Sequence, residues 1–312
     1  MASNKGYRTI HDHHHHVGWD NALEPVLRIE PGETLEFGIV DSSGGQINRN
    51  SNLGDLKNLD FSLVNPVTGP VYVEGAEPGD ALEIEVLDFT ESGWGWTANI
   101  PGFGLLPDDF PDPFLHISTY ANGEVRFTDN IRIPSRMFPG TIGVALAEPG
   151  IHSVVPPRAQ GGNLDIRDLT RGSRLWLPVA VDGALFSTGD THAAQGDGEV
   201  CGTAVETPSS MQLRINLVKD AGIRSPQFEV KDALRGSDAA AGFHATTGIG
   251  PDLFVAAQEA TRDMITHLGR EYGLDPYLAY CLCSCAVDLK ISEIVDQPNW
   301  VVSAYLPKAI FR

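Results

Sequence analysis

Residues 69–89, GPVYVEGAEPGDALEIEVLDF, repeat in altered form the pattern of residues 24–41, EPVLRIEPGETLEFGIVD. In the earlier segment Val26, Leu27 and Ile29 precede Pro31-Gly32, and Leu35, Phe37 and Ile39 follow at every second position. In the later one Leu82, Ile84 and Val86 keep that spacing after Pro78-Gly79. Alternation of this kind marks a strand with one buried face. Proline sets φ at the first central position of a turn, and glycine accepts a positive φ at the second. Two such hairpin-like units predict a sandwich or jelly roll. The rest of the first 200 residues consists of short apolar runs broken by Pro and Gly, which extends the reading to a β-rich N-terminal half.

Helical spacing enters late. Phe254, Ala257, Thr261, Met264, Ile265 and Leu268 recur with helical period, with Pro251 at the first helical position and a stop near Gly273. Asp275-Pro276 opens a second predicted helix through about Leu289, and Asn299–Tyr305 returns to strand. The expected class is therefore α+β and β-rich. A jelly-roll-like sandwich forms the N-terminal half, and the C-terminal α+β portion contains a helical hairpin. The chain divides into residues 1–200 and 201–312, or forms one intimate unit. Residues 93–113, GWGWTANIPGFGLLPDDFPDP, show no period and read as a packed surface loop, a lid or a pocket wall. Trp94, Trp96 and Phe103 there would form an apolar rim that selects small substrates.

The chain has 312 residues, 42% of them hydrophobic, and a formal net charge of −19. That is ample for a core. It excludes nucleic acid and anionic membrane surfaces as partners, because both require patches of Lys and Arg. No apolar run reaches the roughly 18–20 residues of a membrane span. The N-terminus lacks the apolar segment of a secretory signal, so a cytoplasmic location is expected. Of four cysteines, Cys281, Cys283 and Cys285 alternate. On a helix two residues turn a side chain by about 200°, so these thiols cannot converge on one metal and read as packing residues.

Chemistry concentrates in residues 187–206, STGDTHAAQGDGEVCGTAVE. Asp190, His192, Asp197, Glu199 and Glu206 lie among Gly189, Gly196, Gly198 and Gly202. The plain reading is a polar loop with solvated carboxylates. The preceding RLWLPVAVDGALFST, from Arg174 to Thr188, weighs against it. It reads as two apolar strands joined at Asp182-Gly183, the second delivering Asp190 and His192 from a rigid scaffold. Positions i and i+2 of a strand share a face, so these two can meet one metal or simply bond each other. Asp197 and Glu199 have the same spacing. Asn163 and Asp165 follow Gly161-Gly162, where the backbone can approach a ligand closely or form an Asx turn. Cys201 offers a rival nucleophile. Its neighbours Glu199 and Glu206 would raise a thiol pKa, and no Lys or Arg lies within ten residues, so it reads as a small packing residue. His11 and His13 to His16 read as a solvated N-terminal segment or a contribution to the site, and His152 as a second candidate at the pocket.

Three motifs in order make a resemblance specific. Gly189–Glu199 reads G-D-x-H-A-x-Q-G-D-G-E and is followed by G-T-A-x-E at Gly202–Glu206. Asn65–Asp80 reads NPVTGPVYVEGAEPGD, and Gly161–Asp165 reads GGNLD. Together with the patterns of residues 282–294 and 299–311, these resemble the acetamidase/formamidase family. One departure is Gln160, where relatives often carry His before Gly-Gly-Asn. The resemblance implies hydrolysis of small linear carboxamides to ammonia and a carboxylate, in a homo-oligomer. Alternatives are a γ-lactamase or other cyclic amide hydrolase, and, in another class, a non-catalytic small-ligand or metal-binding protein. On this reading Asp190 and His192 hold a divalent metal and Glu199 is the proton carrier, with Asp197 beside it. Asn163 and Asp165 serve the reacting amide, and Gly162, Trp94, Trp96 and Phe103 contact the substrate. Zinc is preferred because hydrolysis gains from a strongly acidified water and His is a ligand; Mn, Mg and Ca also suit the carboxylates.

Overall fold

The two echoing segments lie side by side in a computed structural model that describes residues 7–104, 111–127, 132–195, 199, 201–230, 242–274, 288–308 and 311. Their Pro-Gly turns do not close hairpins. Leu27–Ile29 pairs in parallel with Val67–Val73, Leu27 opposite Val71, in a six-stranded sheet. Glu33–Ile39 and Ala81–Glu91 instead flank Ser209–Val218 in a nine-stranded sheet. Each turn thus carries the chain from one layer to the other. Both halves of each segment alternate, so an arch buries the two apolar faces against each other. Gly32 and Gly79 take the positive φ the turns need, 95° and 103°.

The core fills the space between the layers. Ile29, Val71, Ile142 and Phe186 come from the small sheet, and Leu35, Phe37, Ile84, Leu213 and Phe228 from the large one. Phe37 and Phe186 meet edge to face across it, 5.7 Å between centroids. Full burial of such side chains stabilises by about 1.5–3 kcal/mol each. The large sheet runs in the order Arg8–Ile10, Glu33–Ile39, Ser209–Val218, Ala81–Glu91, Arg174–Pro178, Gln227–Val230, Phe243–Gly250, Trp300–Pro307, Asp288–Glu293. Strands from before and after residue 200 share it.

Three local expectations need correction. Arg174–Pro178 and Phe186–His192 are both strands, but they sit in different sheets, and Ala184 and Leu185 take positive φ at the crossing. Within the aperiodic 93–113 stretch, Trp94–Asn99 is a strand paired with Phe114–Ala121 in a third, four-stranded sheet. Trp94, Trp96 and Ala98 alternate there. The long helix is Leu253–Tyr272, but its N-cap is Asp252, whose side chain accepts from the Phe254 and Val255 amides, so Pro251 precedes the helix. Gly273 closes it in the left-handed conformation, as the stop signal predicts. Its buried stripe is Ala256, Ala260, Met264 and Leu268, and Phe254 is exposed. The predicted second helix lies outside the described residues through 287, and its last positions, Asp288 and Leu289, belong to a strand. The three alternating cysteines lie outside the described residues too. Among the described residues no helix is long and apolar enough to cross a membrane.

Candidate active site

The small sheet ends in a cluster of buried acids. The strand Phe186–His192 delivers Asp190 and His192, both almost fully buried. Next to it, Phe138–Gly143 brings Gly140 and Thr141, with Thr141 opposite Gly189. Gly161–Asn163 pairs on the far side and places Asn163 opposite Thr141. Gly140 has to be glycine. A Cβ there would lie 2.6 Å from both Asp165 Oδ1 and Asp190 Oδ2. Asp165, Asp190 and Glu199 all adopt positive φ, at 49°, 53° and 44°. Such backbone strain in side chains other than Gly gathers where function holds it in place.

His192 is the hub. Its Nε2 lies 3.1 Å from Asp190 Oδ1, 3.2 Å from Glu206 Oε2 and 3.9 Å from Asp165 Oδ1. On the other edge of the ring, Nδ1 lies 2.8 Å from Gln195 Oε1 and 4.0 Å from Glu199 Oε1. Gln195 Nε2 donates to the Asp165 carbonyl at 2.8 Å, which turns Oε1 to His192. Nδ1 therefore donates to Gln195, and Nε2 faces the carboxylates. Burial alone would lower the His192 pKa, but Glu206 and Asp190 outweigh it and raise it well above the usual value. Burial alone would raise Asp190, and the charge and hydrogen bond of His192 hold it below the usual value.

The remaining acids have less compensation. Burial, then Glu199 and Asp296, push Asp165 well up. Burial, then Glu206 and Asp296, do the same to Glu199. Glu206 is raised by burial despite His192, and it accepts from Ser42 Oγ at 2.7 Å and from the Ala204 amide at 2.8 Å. Asp296 is raised to about 7, chiefly by burial. Glu293 behind it reaches about 8 through burial and the charge of Asp296. Neither oxygen of Asp165 accepts from an N–H or a hydroxyl among the described residues, and its side-chain neighbour within hydrogen-bonding reach is another acid, Asp296. Buried carboxylate oxygens are rarely left so, and a cation satisfies them.

The donor set suits a divalent metal. Asp165, Asp190 and His192 offer ligand atoms within 4.8 Å of one another, as do His192, Glu199 and Glu206, and Asp165, Glu199 and Asp296. Carboxylate oxygens with one imidazole nitrogen accommodate zinc and the harder ions alike.

Above the acids opens a cavity of about 310 Å³. Its floor holds Asn65, Asn163 and the carboxylates, and its walls are Leu59, Phe61, Val64, Trp96, Ile100, Phe103 and Val155. Of the residues singled out from sequence, Asn163, Asp165, Asp190, Glu199, Trp96 and Phe103 line it, and His192 touches three of the acids. Trp94 is buried beside Ile47 and Leu56. Gly162 is buried in its strand, its Cα side toward the Pro156 carbonyl. Neither lines the cavity. Asp197 lies outside the described residues. Asn163 is already engaged: its Oδ1 accepts from Thr141 Oγ1 at 2.5 Å and Asn65 Nδ2 at 3.0 Å, and its Nδ2 donates to Asp296.

The other candidates sit apart. His16 bonds Ser187 Oγ at 2.9 Å, and His152 bonds the Glu148 carbonyl, both outside the cavity lining. The Cys201 thiol faces the Thr203 carbonyl at 3.3 Å and has no base beside it among the described residues. Five contributors escaped assignment. Asn65, Gln195 and Glu206 stood inside the quoted motifs without a role. Gly140 and Asp296 carried no local signal, because only the fold brings residue 296 beside residue 165.

The model of the Acetamidase/Formamidase family matches residues 4–154 and 146–312. A formamidase from Methylophilus methylotrophus is 30% identical, covering 95% of this chain and 89% of its own. The crystal structure of an acetamidase from Bacillus halodurans superposes with a TM-score of 0.89 at 32% identity, over 97% of this chain and 98% of that one. A γ-lactamase from Delftia acidovorans superposes less closely, with a TM-score of 0.69 at 27% identity over 97% and 93%. With its motifs in order, its buried acid–histidine cluster and these likenesses over nearly its whole length, the chain belongs to the acetamidase/formamidase family.

Proposed function

We propose that Glu199 carries the proton in hydrolysis of the carbon–nitrogen bond of small carboxamides, beside a metal held by Asp190 and His192. The chain is an amidohydrolase of small amides. The observation that supports these roles is the convergence of His192 Nε2 with Asp190 and Glu206 at the floor of the cavity, beside the Asp165 oxygens that accept from no N–H or hydroxyl among the described residues. A divalent ion held there, zinc by preference, would supply a positive charge that acidifies water and polarises the amide carbonyl. Glu206 and Asp165 stand ready as further ligands.

Glu199 is buried beside this cluster, and burial with the neighbouring carboxylates raises its pKa above the usual glutamate value, which makes it a stronger base than a solvated glutamate. It removes a proton from the attacking water as oxygen bonds the amide carbon. It then returns that proton to the nitrogen as the carbon–nitrogen bond breaks, giving ammonia and a carboxylic acid that ionises. Asn163 donates one amide hydrogen to Asp296 and keeps a second for the developing oxyanion. Gln195 fixes the His192 ring.

The weaker likeness to the γ-lactamase favours linear over cyclic amides. We further propose one intimate unit rather than two domains, because strands from both halves share a sheet. A closed homo-oligomer is proposed because such assemblies are common among soluble enzymes. A cytoplasmic location goes with the free thiol of Cys201. Ammonia release from acetamide and formamide tests the reaction, and elemental analysis with chelation and metal add-back tests the ion. Full amide hydrolysis by metal-free protein would overturn the metal role, and alkylation of Cys201 would then become the next test.

A further inference from the structure

The cavity is built for more than the amide group. Acetamide has four non-hydrogen atoms, which at about 30 Å³ each, the share of a water molecule, occupy at most roughly 120 Å³. The cavity holds about 310 Å³. What remains is walled by Leu59, Phe61, Val64, Ile100, Phe103 and Val155, while polar atoms gather on the floor. Leu59 and Ile100 belong, with Trp96, to one packed cluster around Ile47 and Leu56, so this wall is preformed. At the rim Phe61 and Phe103 stack with centroids 6.0 Å apart and planes within 5°, yet both are about half exposed. Apolar surface of this kind, rimming a polar floor, gains from being covered by a ligand.

On the amidase reading above, we infer that the preferred substrate is a small primary amide whose acyl group is apolar and larger than acetyl. Its carboxamide sits on the acidic floor, and its alkyl or aryl part fills the space between the floor and the Phe61–Phe103 pair. The acyl part is uncharged, since a carboxylate on it would face five buried acids and an ammonium would be stripped of water against an apolar wall. Each methylene removed from water strengthens binding by about fourfold.

The test is ammonia release by the metal-loaded full chain from formamide, acetamide, butyramide, hexanamide and benzamide. The expected kcat/KM rises by about fourfold per methylene through butyramide, and benzamide exceeds acetamide by more than tenfold. Ile100→Trp, which fills the wall, should lose benzamide and hexanamide at least tenfold more than acetamide. A kcat/KM greatest for formamide or acetamide and flat or falling beyond them overturns the inference and leaves the amidase reading standing. Silence with every amide overturns both.

Discussion

His192 and His244 are buried to similar depth, 1% and 5% exposed, and their pKa values move in opposite directions. Around His192 stand Asp190 and Glu206 at about hydrogen-bond distance, so its pKa rises despite burial. His244 lies face to face with His267 from the long helix, centroids 3.5 Å apart and planes within 4°. Its nearest acid, Glu229, is 3.9 Å away and already bonds Arg174 at 2.6 Å and Lys308 at 2.9 Å. Burial therefore prevails at His244, and its pKa falls. Depth alone does not decide the state of a buried imidazole. The number of unspent carboxylates around it does, and the site at the end of the small sheet has them in excess.

The largest expected effect breaks this contrast at its source. His192→Ala removes the one imidazole that the described residues bring to the acid cluster, and metal content and amide hydrolysis should vanish together, beyond the ~10⁴-fold upper worth of a single general base. His244→Ala should leave both in place. Metal bound at the native ratio in His192→Ala would remove His192 from the ligand set. Next in size is Glu199→Gln, which preserves shape but cannot take a proton. Bound metal should stay, and kcat should fall by roughly 10²–10⁴-fold. Loss of the metal instead would make Glu199 a ligand.

How much of this contrast is legible in the sequence depends on the range of the interaction. The alternation of Leu82, Ile84 and Val86 reports a buried face, because the strand period is local. The Pro-Gly turns report a reversal with positive φ, but not that they are arches between layers. Whether neighbouring strands pair or face each other is settled by which apolar faces meet, a contact between distant residues. In the site, Asp190 and His192 are legible as a pair two apart on one strand. Asp296 is not, since it reaches the cluster from 90 or more residues away in the chain. The period of two in Trp94–Asn99 is hidden in the sequence by its glycine and aromatic residues. Gly95 in that strand exists for a contact with residue 206, where a Cβ would meet the carbonyl oxygen at 2.6 Å.

Two smaller substitutions sharpen the view of how the acids are held. Gly140→Ala places a methyl group against Asp165 and Asp190, and metal affinity should fall by about 10–100-fold with the fold retained. Gln195→Leu leaves the ring of His192 without its acceptor at Nδ1 and should cost about 10–100-fold in metal affinity or activity. Restoration by Gln195→Asn or Gln195→Glu would locate the effect in the acceptor oxygen. Titration of metal against a competing chelator reads both, and unchanged affinity in either variant would make that residue's contact structural.

The smallest effect lies at the other pole of the comparison and concerns stability rather than turnover. The folded-state pKa of His267 is lowered to about 3, by burial and by His244, and that of His244 is lowered as well. In the unfolded chain both titrate near 6.5. As pH falls below about 6.5, the unfolded state binds protons that the folded state refuses, so the stability these residues leave intact above that value is lost on the way toward pH 3. The slope is at most about 1.4 kcal/mol per pH unit for each histidine. The acid cluster opposes it. Glu293 and Asp296, raised to about 8 and about 7, keep protons in the folded state that the unfolded chain has released above about 4.5. Their contribution is full below that value and is lost as pH rises through 7 to 8. The native protein therefore shows the sum of two opposed slopes, and His267→Leu separates them. Between pH 4 and 6.5 the signed slope of urea-unfolding stability against pH should be lower in this variant than in the native protein, by up to about 1.4 kcal/mol per unit, leaving the downward slope of the acids less opposed. Parallel curves for the two proteins would mean that the stacked pair is protonated in the fold, and the contrast with His192 would fail.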